Sequence, residues 1–307
     1  MSRTTRFAPA PTGRLHPGHL ANAIFVWGLA RRFGARVILR IEDHDRQRCG
    51  PGYEAALLDD LDRLGIAADA PSTDELRAGP SVFRQSDNDA AYAGAVDALR
   101  ARRLVYACDC SRATFDARAT VHGGAWSGAG CPGACRDRDL PFEGQVGWRV
   151  ELGEGAEDWN DALRGPSSAP VAPAGDLLIR DRNGNWTYAL CVVVDDLRHG
   201  VDLVVRGEDL LDSTAGQIRF GRLLGRGEPP TFAHHPLVRR PDGAKLSKAD
   251  GAMSIGELLD TGTSREQLFG LAAARVGVLR LARPLEFAEA LRLIERKDQR
   301  TGGHGTR

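Results

Sequence analysis

The pattern that most restricts the fold of this chain lies between residues 6 and 43. A short strand-like run from Arg6 is followed by a turn, and residues 24–34 (IFVWGLARRFG) have apolar residues at helical spacing and end in glycine. Residues 36–43 (RVILRIED) then have the pattern of a buried strand whose last residues are acidic. This order of strand, turn, helix and strand is typical of a parallel βαβ unit, so we expect an α/β fold.

Similar patterns predict further elements of the same fold. Residues 53–64 and 87–104 have amphipathic helical spacing, and residues 201–210 form a buried strand that ends in charge. Residues 175–196 contain two strand-like runs around Asn183-Gly184, a hairpin turn signal, and then a strongly apolar run.

The composition changes at Cys108. From there to about residue 175 the chain is rich in glycine, proline and serine, and its strand candidates, such as residues 146–152, are short. We therefore predict an insertion within the main domain. The expected parts are 1–107 and 176–250, the two halves of the main domain, with 108–175 as the insertion and 251–307 as a helical C-terminal region that ends in a disordered tail after about Glu295.

Charge and hydropathy exclude several classes of protein. The chain has 41 basic and 41 acidic residues, so nucleic acid would have to be held at a local site and not through overall charge. The N-terminus lacks the apolar segment of a signal peptide, and no apolar run approaches the roughly 18 residues of a membrane span. We expect a soluble, cytoplasmic protein without a membrane partner.

Four of the six cysteines are close together in the predicted insertion. In a chain without a signal peptide, this clustering favours a metal over disulfides, and four thiolates complete a tetrahedral zinc site. The alternative is reduced thiols packed as small apolar groups, which is our interpretation of Cys49 and Cys191. The predicted zinc ligands are Cys108, Cys110, Cys131 and Cys135.

The sequence HPGH at residues 16–19 precedes the predicted first helix. A glycine before a helix lets a ligand approach the backbone, and a helix N-terminus attracts phosphate. His16 and His19 can donate hydrogen bonds to a polyphosphate there. An ordinary turn with surface histidines and a metal site are the alternatives, although no acidic residue lies nearby in sequence.

The sequence KLSK contains Lys245 and Lys248, two of the three lysines of the chain. An exposed basic loop would have the same sequence. In combination with HPGH and the strands between them, however, KLSK predicts a lysine loop that closes on ATP from the side opposite to the histidines.

The motifs together resemble those of a known family. RFAPAPTGRLHPGHLANA, RIEDHD, VVRGEDLLDST and GAKLSK resemble the motifs of glutamyl-tRNA synthetases, over about residues 6–250. The chain ends about 60 residues after KLSK, which leaves no room for anticodon-binding domains. With CDC, CPGACR and VVVDD, it is more similar to the glutamyl-queuosine tRNA(Asp) synthetases, a paralogous family that attaches glutamate to the modified wobble base of tRNA(Asp).

This resemblance implies a Rossmann-like class I aminoacyl-tRNA synthetase catalytic domain with a zinc-containing insertion and a short helical C-terminal region. It implies one structural zinc ion, ATP as a substrate with Mg²⁺, and a monomer that binds L-glutamate and queuosine-containing tRNA(Asp). The expected ATP-binding residues are His16, Gly18, His19 and Lys248. The expected catalytic residues are His16, His19, Lys245 and Lys248.

The resemblance also implies a glutamate site, and the chemistry agrees with it. Guanidinium groups suit carboxylates, so Arg6, at the start of the first strand, and Arg206, at the end of VDLVVR, are the candidate anchors. Glu42 is expected to bind the ammonium group. The full expected set is Arg6, Phe7, Ala8, Pro9, Ala10, Glu42, Tyr188 and Arg206; surface ion pairs and a core tyrosine are the alternatives.

Three residues depart from the family pattern. Cys131 stands where tyrosine is frequent, which strengthens a zinc site. Ala10 replaces a common serine and Ala189 a frequent asparagine, so amino-acid specificity is expected to loosen while the charged anchors remain. The rival interpretations are a shortened glutamyl-tRNA synthetase that charges the 3′ end and a non-catalytic RNA-binding module; the intact motifs argue against the module.

Overall fold

The computed structural model describes residues 3–111, 114, 131, 133–171, 175–238 and 253–296. The predicted lysine loop with Lys245 and Lys248 lies outside the described residues, as does the predicted disordered tail from Lys297 onward. No helix in the described ranges is long and apolar enough to cross a membrane.

The chain alternates strands and helices. In chain order, the first half contains β1 (Arg3–Phe7), α1 (Pro17–Phe33), β2 (Ala35–Leu39), α2 (Pro51–Leu64), α3 (Thr73–Arg77), α4 (Asp89–Ala101), β3 (Val105–Cys108), β4 (Gly147–Val150), β5 (Ala156–Asp161), β6 (Gly165–Pro170) and β7 (Leu177–Arg180). The second half contains α5 (Tyr188–Arg198), β8 (Leu203–Gly207), a 3₁₀ helix (Glu208–Ser213), α6 (Thr214–Leu223), β9 (Thr231–His235), α7 (Ile255–Asp260), α8 (Arg265–Arg275) and α9 (Phe287–Arg296).

The predicted βαβ unit is confirmed, because β1 and β2 pair in parallel with α1 between them. Helix α1 starts earlier than the predicted residue 24: Pro17 is its first residue, and the His16 side chain caps it. A proline is well suited to this position, since its missing N–H would have no helical partner. The predicted glycine stop is correct, with Gly34 in the left-handed conformation at φ 62°.

The central strands bring their carboxyl ends to one edge. Strands β8 and β9 pair in parallel, β5 joins β9, and β6 pairs antiparallel with β5. Beside them, the backbone N–H of Asp202 donates to the carbonyl of Thr4 at 3.1 Å, which sets β1 against the start of β8. Strands β3, β4 and β7 form a separate antiparallel sheet.

The C-terminal region packs against α1. A Cβ on Gly28 would lie 2.6 Å from the Cβ of Ile294, so only glycine allows α9 to approach this closely. The helical C-terminal region predicted after Lys248 contains three helices in its described part, α7, α8 and α9. Ser254 and Ser264 form capping boxes that start two of them, α7 and α8.

The predicted hairpin at Asn183-Gly184 is only partly correct. A turn forms, in which the N–H of Asp181 donates to the carbonyl of Asn185 at 2.9 Å. The second strand is reduced to one bridge between Arg180 and Trp186, and the chain then enters α5. Residues 190–196 are buried all round, and a helix of this kind has no apolar stripe that distinguishes it from a buried strand.

Candidate active site

The two histidines of HPGH organise the N-terminus of α1. Nδ1 of His16 accepts a hydrogen bond from the N–H of Gly18, and Nδ1 of His19 accepts one from the backbone N–H of His16, both at 3.1 Å. In a neutral imidazole the other ring nitrogen then carries the proton, so each ring has an Nε2–H donor. A Cβ on Gly18 would lie 2.8 Å from Cε1 of His16, which explains the glycine. The result is a pair of donors at a helix N-terminus, a site that suits an anion.

A cavity of about 290 Å³ lies at the carboxyl ends of β1 and β8. Five of the residues predicted for glutamate line it: Arg6, Ala8, Glu42, Tyr188 and Arg206. The structure therefore brings together side chains that are far apart in sequence. An edge of this kind in an open parallel sheet is the usual position of a ligand site.

The other three residues predicted for glutamate do not line this cavity. The Phe7 ring is buried against Trp27, with 5.3 Å between ring centroids. Its carbonyl accepts from the N–H of Arg40, and the carbonyl of Pro9 accepts from the N–H of Glu42. The carbonyl of Ala10 accepts from the N–H of Thr12. Through their backbone carbonyls, Phe7 and Pro9 thus position the segment that carries Glu42.

Arg6 lies at the carboxyl end of β1, and the expectation that it starts the strand is wrong, because β1 begins at Arg3. Its Nε donates to Oδ1 of Asp196 at 3.1 Å, and its Nη1 donates to the carbonyl of Val205 at 3.2 Å. The second bond ties Arg6 to β8, the strand that carries Arg206.

Sequence reasoning missed Arg40 and Asp196, which hold the pocket residues from behind. Arg40 is fully buried; its Nη1 donates to Oδ1 of Asp196 at 2.7 Å and its Nη2 to Oε1 of Glu42 at 2.8 Å. Burial opposes ionisation of the Asp196 carboxyl, but the guanidiniums of Arg6 and Arg40 outweigh it, so its pKa is lowered. The one indication of Arg40 in the sequence is that a charged residue stands within the apolar run VILRIED.

Arg206 is buried and held by four hydrogen bonds. Its Nε donates to Nε2 of His234 at 3.0 Å, and its other bonds go to Gln217, Thr214 and the Leu210 carbonyl. Nδ1 of His234 lies 2.6 Å from Oδ2 of Asp161. Burial, against the opposing effect of Asp161, lowers the pKa of His234, which is consistent with a neutral ring that accepts from Arg206. No local sequence pattern indicates His234 or Asp161.

The charges around the cavity leave one unbalanced cation. The lining itself contributes two cations, Arg6 and Arg206, and one anion, Glu42. Arg206 forms no ion pair with a carboxylate in the described part of the chain, and the Asp161 carboxylate reaches it only through the His234 ring. Tyr188 adds no charge, because burial and then the Glu42 carboxylate raise its pKa above the ordinary value. The cavity therefore suits a ligand with a net charge of about −1.

The cysteine cluster is assembled as predicted. The sulfur atoms of Cys108, Cys110, Cys131 and Cys135 lie within 4.8 Å of one another, and all four residues are buried. With Zn–S bonds of about 2.3 Å, a tetrahedral site requires sulfur separations of roughly 3.8 Å. The Sγ atoms of Cys110 and Cys135 are 3.4 Å apart. The geometry and the donor set therefore fit a closed zinc site.

Three histidines, two of them buried and His199 partly buried, predict how stability depends on pH. Burial lowers the pKa values of His199, His234 and His235 in the folded state. Below an unfolded pKa of about 6.5, the unfolded chain therefore binds more protons, and the free energy of unfolding falls with pH. We expect a lower urea midpoint at about pH 6 than at about pH 7.5.

One carboxyl partly offsets this trend. Burial raises the pKa of Asp60 to about 6, so its protonation in the folded state already adds some stability at about pH 6 and adds more as the pH falls further. An equal or higher urea midpoint at about pH 6 would contradict neutral buried imidazoles.

The fold and this site together define a class I aminoacyl-tRNA synthetase catalytic domain. The family model of tRNA synthetases class I (E and Q), catalytic domain, matches residues 3–298. The chain belongs to this family and, within it, to the glutamyl-Q tRNA(Asp) synthetases, so it is an enzyme of the ligase class. The predicted family and fold class are confirmed.

Two relatives and one solved structure illustrate the similarity. The Glutamyl-Q tRNA(Asp) synthetase of Symbiobacterium thermophilum is 38% identical over 305 residues, which cover 94% of this chain and 91% of the relative. That of Rhodobacter capsulatus is 39% identical over 277 residues, covering 85% and 96%. A glutamate tRNA ligase from Elizabethkingia meningosepticum has the same fold, with a TM-score of 0.75 at 23% identity; the match covers 96% of this chain and 66% of that chain.

Proposed function

We propose that this enzyme uses ATP to activate L-glutamate as glutamyl-adenylate and transfers the glutamate to queuosine at the wobble position of tRNA(Asp). The observation that carries the proposal is the cavity with one unbalanced cation. Glutamate has two carboxylates and one ammonium group, a net charge of −1, which complements Arg6, Arg206 and Glu42. The names of the relatives support the acceptor, since they are Glutamyl-Q tRNA(Asp) synthetases.

In the first step, the guanidiniums of Arg6 and Arg206 and the hydroxyl of Tyr188 hold carboxylate groups of glutamate, and Glu42 holds its ammonium group. An oxygen of the α-carboxylate attacks the α-phosphorus of ATP, and the bond to the departing pyrophosphate breaks. His16, His19, Lys245 and Lys248 stabilise the charge on the phosphates. Mg²⁺ bound to the triphosphate supplies further positive charge.

In the second step, a hydroxyl of the queuosine cyclopentene ring attacks the carbonyl carbon of the adenylate. An ester forms as the hydroxyl loses its proton to the solvent, and AMP leaves with the electron pair of the broken bond. Neither step needs a covalent enzyme intermediate, so the enzyme acts through orientation and electrostatics.

The remaining parts have supporting roles in this proposal. Zinc bound by Cys108, Cys110, Cys131 and Cys135 stabilises the insertion at 108–175, which contacts the tRNA. Strands β5 and β6 belong to this insertion in sequence and pair with the sheet of β8 and β9. The catalytic halves are 1–107 and 176–250, the C-terminal region is 251–307, and the enzyme works as a cytoplasmic monomer.

The acceptor is tested with labelled glutamate, ATP and bulk tRNA from cells that make queuosine and from cells that cannot. We expect label only on the queuosine-containing tRNA. The labelling should survive periodate oxidation of the 3′ end before the reaction, because the 3′ hydroxyls are not the acceptor. If label appears on both tRNA preparations and periodate oxidation abolishes it, the enzyme is instead an ordinary 3′-charging synthetase.

A further inference from the structure

Four buried charged side chains form one connected chain behind the glutamate pocket: Arg6, Asp196, Arg40 and Glu42, here called the four-charge chain. Oδ1 of Asp196 accepts from Nε of Arg6 at 3.1 Å and from Nη1 of Arg40 at 2.7 Å. Nη2 of Arg40 donates to Oε1 of Glu42 at 2.8 Å. A single carboxylate oxygen and a single guanidinium thus connect Arg6 to Glu42.

The two ends of the four-charge chain line the cavity, whereas its two middle members do not. The Arg40 side chain is 0% exposed and that of Asp196 is 11% exposed. Asp196 comes from α5, Arg6 from β1, and Arg40 and Glu42 from the segment after β2. The four-charge chain therefore fixes three elements relative to one another at the pocket.

Burying charges in this way is costly unless every charge is paired. The four-charge chain is electrically balanced, with two cations and two anions. In other proteins, replacing such a buried ion pair with apolar residues of similar size is often neutral or stabilising. The presence of ions at Arg40 and Asp196 therefore calls for an explanation beyond stability, and their contacts with the two ends provide one.

We propose that Asp196 and Arg40 are positioning residues for glutamate recognition. They fix the orientation of the Arg6 guanidinium and its separation from the Glu42 carboxylate, so that a carboxylate and the ammonium group of one amino acid fit between them. This inference rests on the proposed function, since it takes Arg6 and Glu42 as the groups that bind glutamate.

The adjacent residue provides a matched control. Asp195 is also buried on α5, and its carboxylate accepts from Tyr92 at 2.9 Å, Gln85 at 3.0 Å and Arg198 at 2.9 Å. Among the described contacts it makes no hydrogen bond to Arg6 or Arg40. Asp195→Asn and Asp196→Asn therefore make the same chemical change one residue apart. Both remove a negative charge near Arg40, but only Asp196→Asn alters a group that is hydrogen-bonded within the four-charge chain.

The test measures glutamate-dependent pyrophosphate exchange at saturating ATP, together with thermal unfolding. For Asp196→Asn we expect the KM for glutamate to rise roughly 10- to 100-fold, because a charge-assisted hydrogen bond to each arginine is weakened. The kcat should change by less than about threefold, and the KM for ATP should not change. Asp195→Asn should lower the unfolding temperature and leave the KM for glutamate within about twofold of the wild type.

A second variant keeps the inference testable if Asp196→Asn does not fold. Arg40→Lys keeps the charge, but a single ammonium group cannot replace the two nitrogens that connect Asp196 to Glu42. We expect the same rise in the KM for glutamate. An unchanged KM in a folded Asp196→Asn or Arg40→Lys enzyme would overturn the inference, and so would equal rises in Asp195→Asn and Asp196→Asn.

Failure of the proposed function gives a different result. If the wild type shows no glutamate-dependent exchange, the proposed activation reaction is wrong. Glutamate binding by calorimetry, without ATP, then tests the four-charge chain on the same proteins. Weaker binding only in Asp196→Asn and Arg40→Lys would support it, and equal or absent binding in all four proteins would refute it.

Discussion

Replacing Arg206 with glutamine is expected to reduce glutamate-dependent pyrophosphate exchange by roughly a thousandfold. Arg206 is buried in the cavity wall, and it is the pocket cation without a carboxylate partner in the described residues. Its removal leaves the pocket with no net charge for a ligand of charge −1. A buried ligand carboxylate would then be unpaired, which is among the most costly changes in a binding site.

Lysine should not restore this activity. Arg206 is held by hydrogen bonds from three guanidinium nitrogens, to His234, Gln217, Thr214 and the Leu210 carbonyl. A lysine has one nitrogen and cannot satisfy these acceptors and a carboxylate together. We expect Arg206→Lys to recover less than about a tenth of the wild-type exchange.

A half-buried arginine outside the cavity gives the control. Arg226 is half-buried and donates from both terminal nitrogens to the carbonyl of Val201, at 3.0 and 3.1 Å, and it does not line the cavity. Arg226→Gln should therefore keep exchange within about threefold of the wild type. Exchange above about a tenth of wild type in folded Arg206→Gln protein would show that Arg206 is not the anchor.

The same argument predicts the choice between glutamate and glutamine. Glutamine has no net charge, so the unbalanced Arg206 should make the wild type prefer glutamate strongly. In Arg206→Gln this reason for the preference disappears, and the ratio of the two exchange rates should approach one. An unchanged ratio would show that other groups set the specificity.

Local sequence patterns were sufficient for the elements whose signal is local. The βαβ unit, Gly34 and the four cysteines follow from spacing and residue type, and Arg6, Glu42 and Arg206 follow from motifs that match a known family. The structure adds the distance between groups: Asp196 is 190 residues from Arg6 in sequence, yet their side chains form a hydrogen bond. One sequence does not reveal such pairs, because tertiary packing creates them.

Fully buried segments are difficult to assign from sequence because they lose their periodicity. The run before Asp196 is buried on all sides, so its pattern does not distinguish a helix from a strand. Arg40 has one partner nearby in sequence, Glu42, but its other partner, Asp196, is 156 residues away and is not indicated by the local pattern. A rule that asks where the partner of each buried charge lies would have singled out Arg40 and Asp196.

Removing the metal is expected to have the largest effect on stability. The cluster holds Cys131 beside β3, and the N–H of Asp176 donates to the Cys131 carbonyl at 2.9 Å. The Asp176 carboxylate in turn accepts from Tyr106 at 2.6 Å and from Arg136. Without the zinc ion, the metal–sulfur bonds that hold this region together are lost, and four buried thiols remain. We therefore expect chelation to lower the unfolding temperature by at least about 10 °C.

Cys131→Ser and Cys191→Ser separate a metal ligand from an ordinary buried thiol. Both cysteines are buried, but burial raises the pKa of Cys191, which is outside the cluster and should remain a thiol. Metal analysis should find about one zinc ion in the wild type and in Cys191→Ser, and less than about a tenth of an ion in Cys131→Ser. Less than about half an equivalent in the wild type would refute the zinc site.

Cys131→Ser should affect pyrophosphate exchange much less than transfer of glutamate to tRNA. The cluster adjoins the antiparallel sheet of β3, whereas the glutamate pocket lies on the sheet of β8 and β9. Protein that remains folded should therefore keep most of its pyrophosphate exchange and lose most of its transfer to tRNA, because only transfer needs the part of the insertion that the zinc holds. An equal loss of both activities would instead mean that zinc supports the whole fold and that the insertion has no separate part in binding the tRNA.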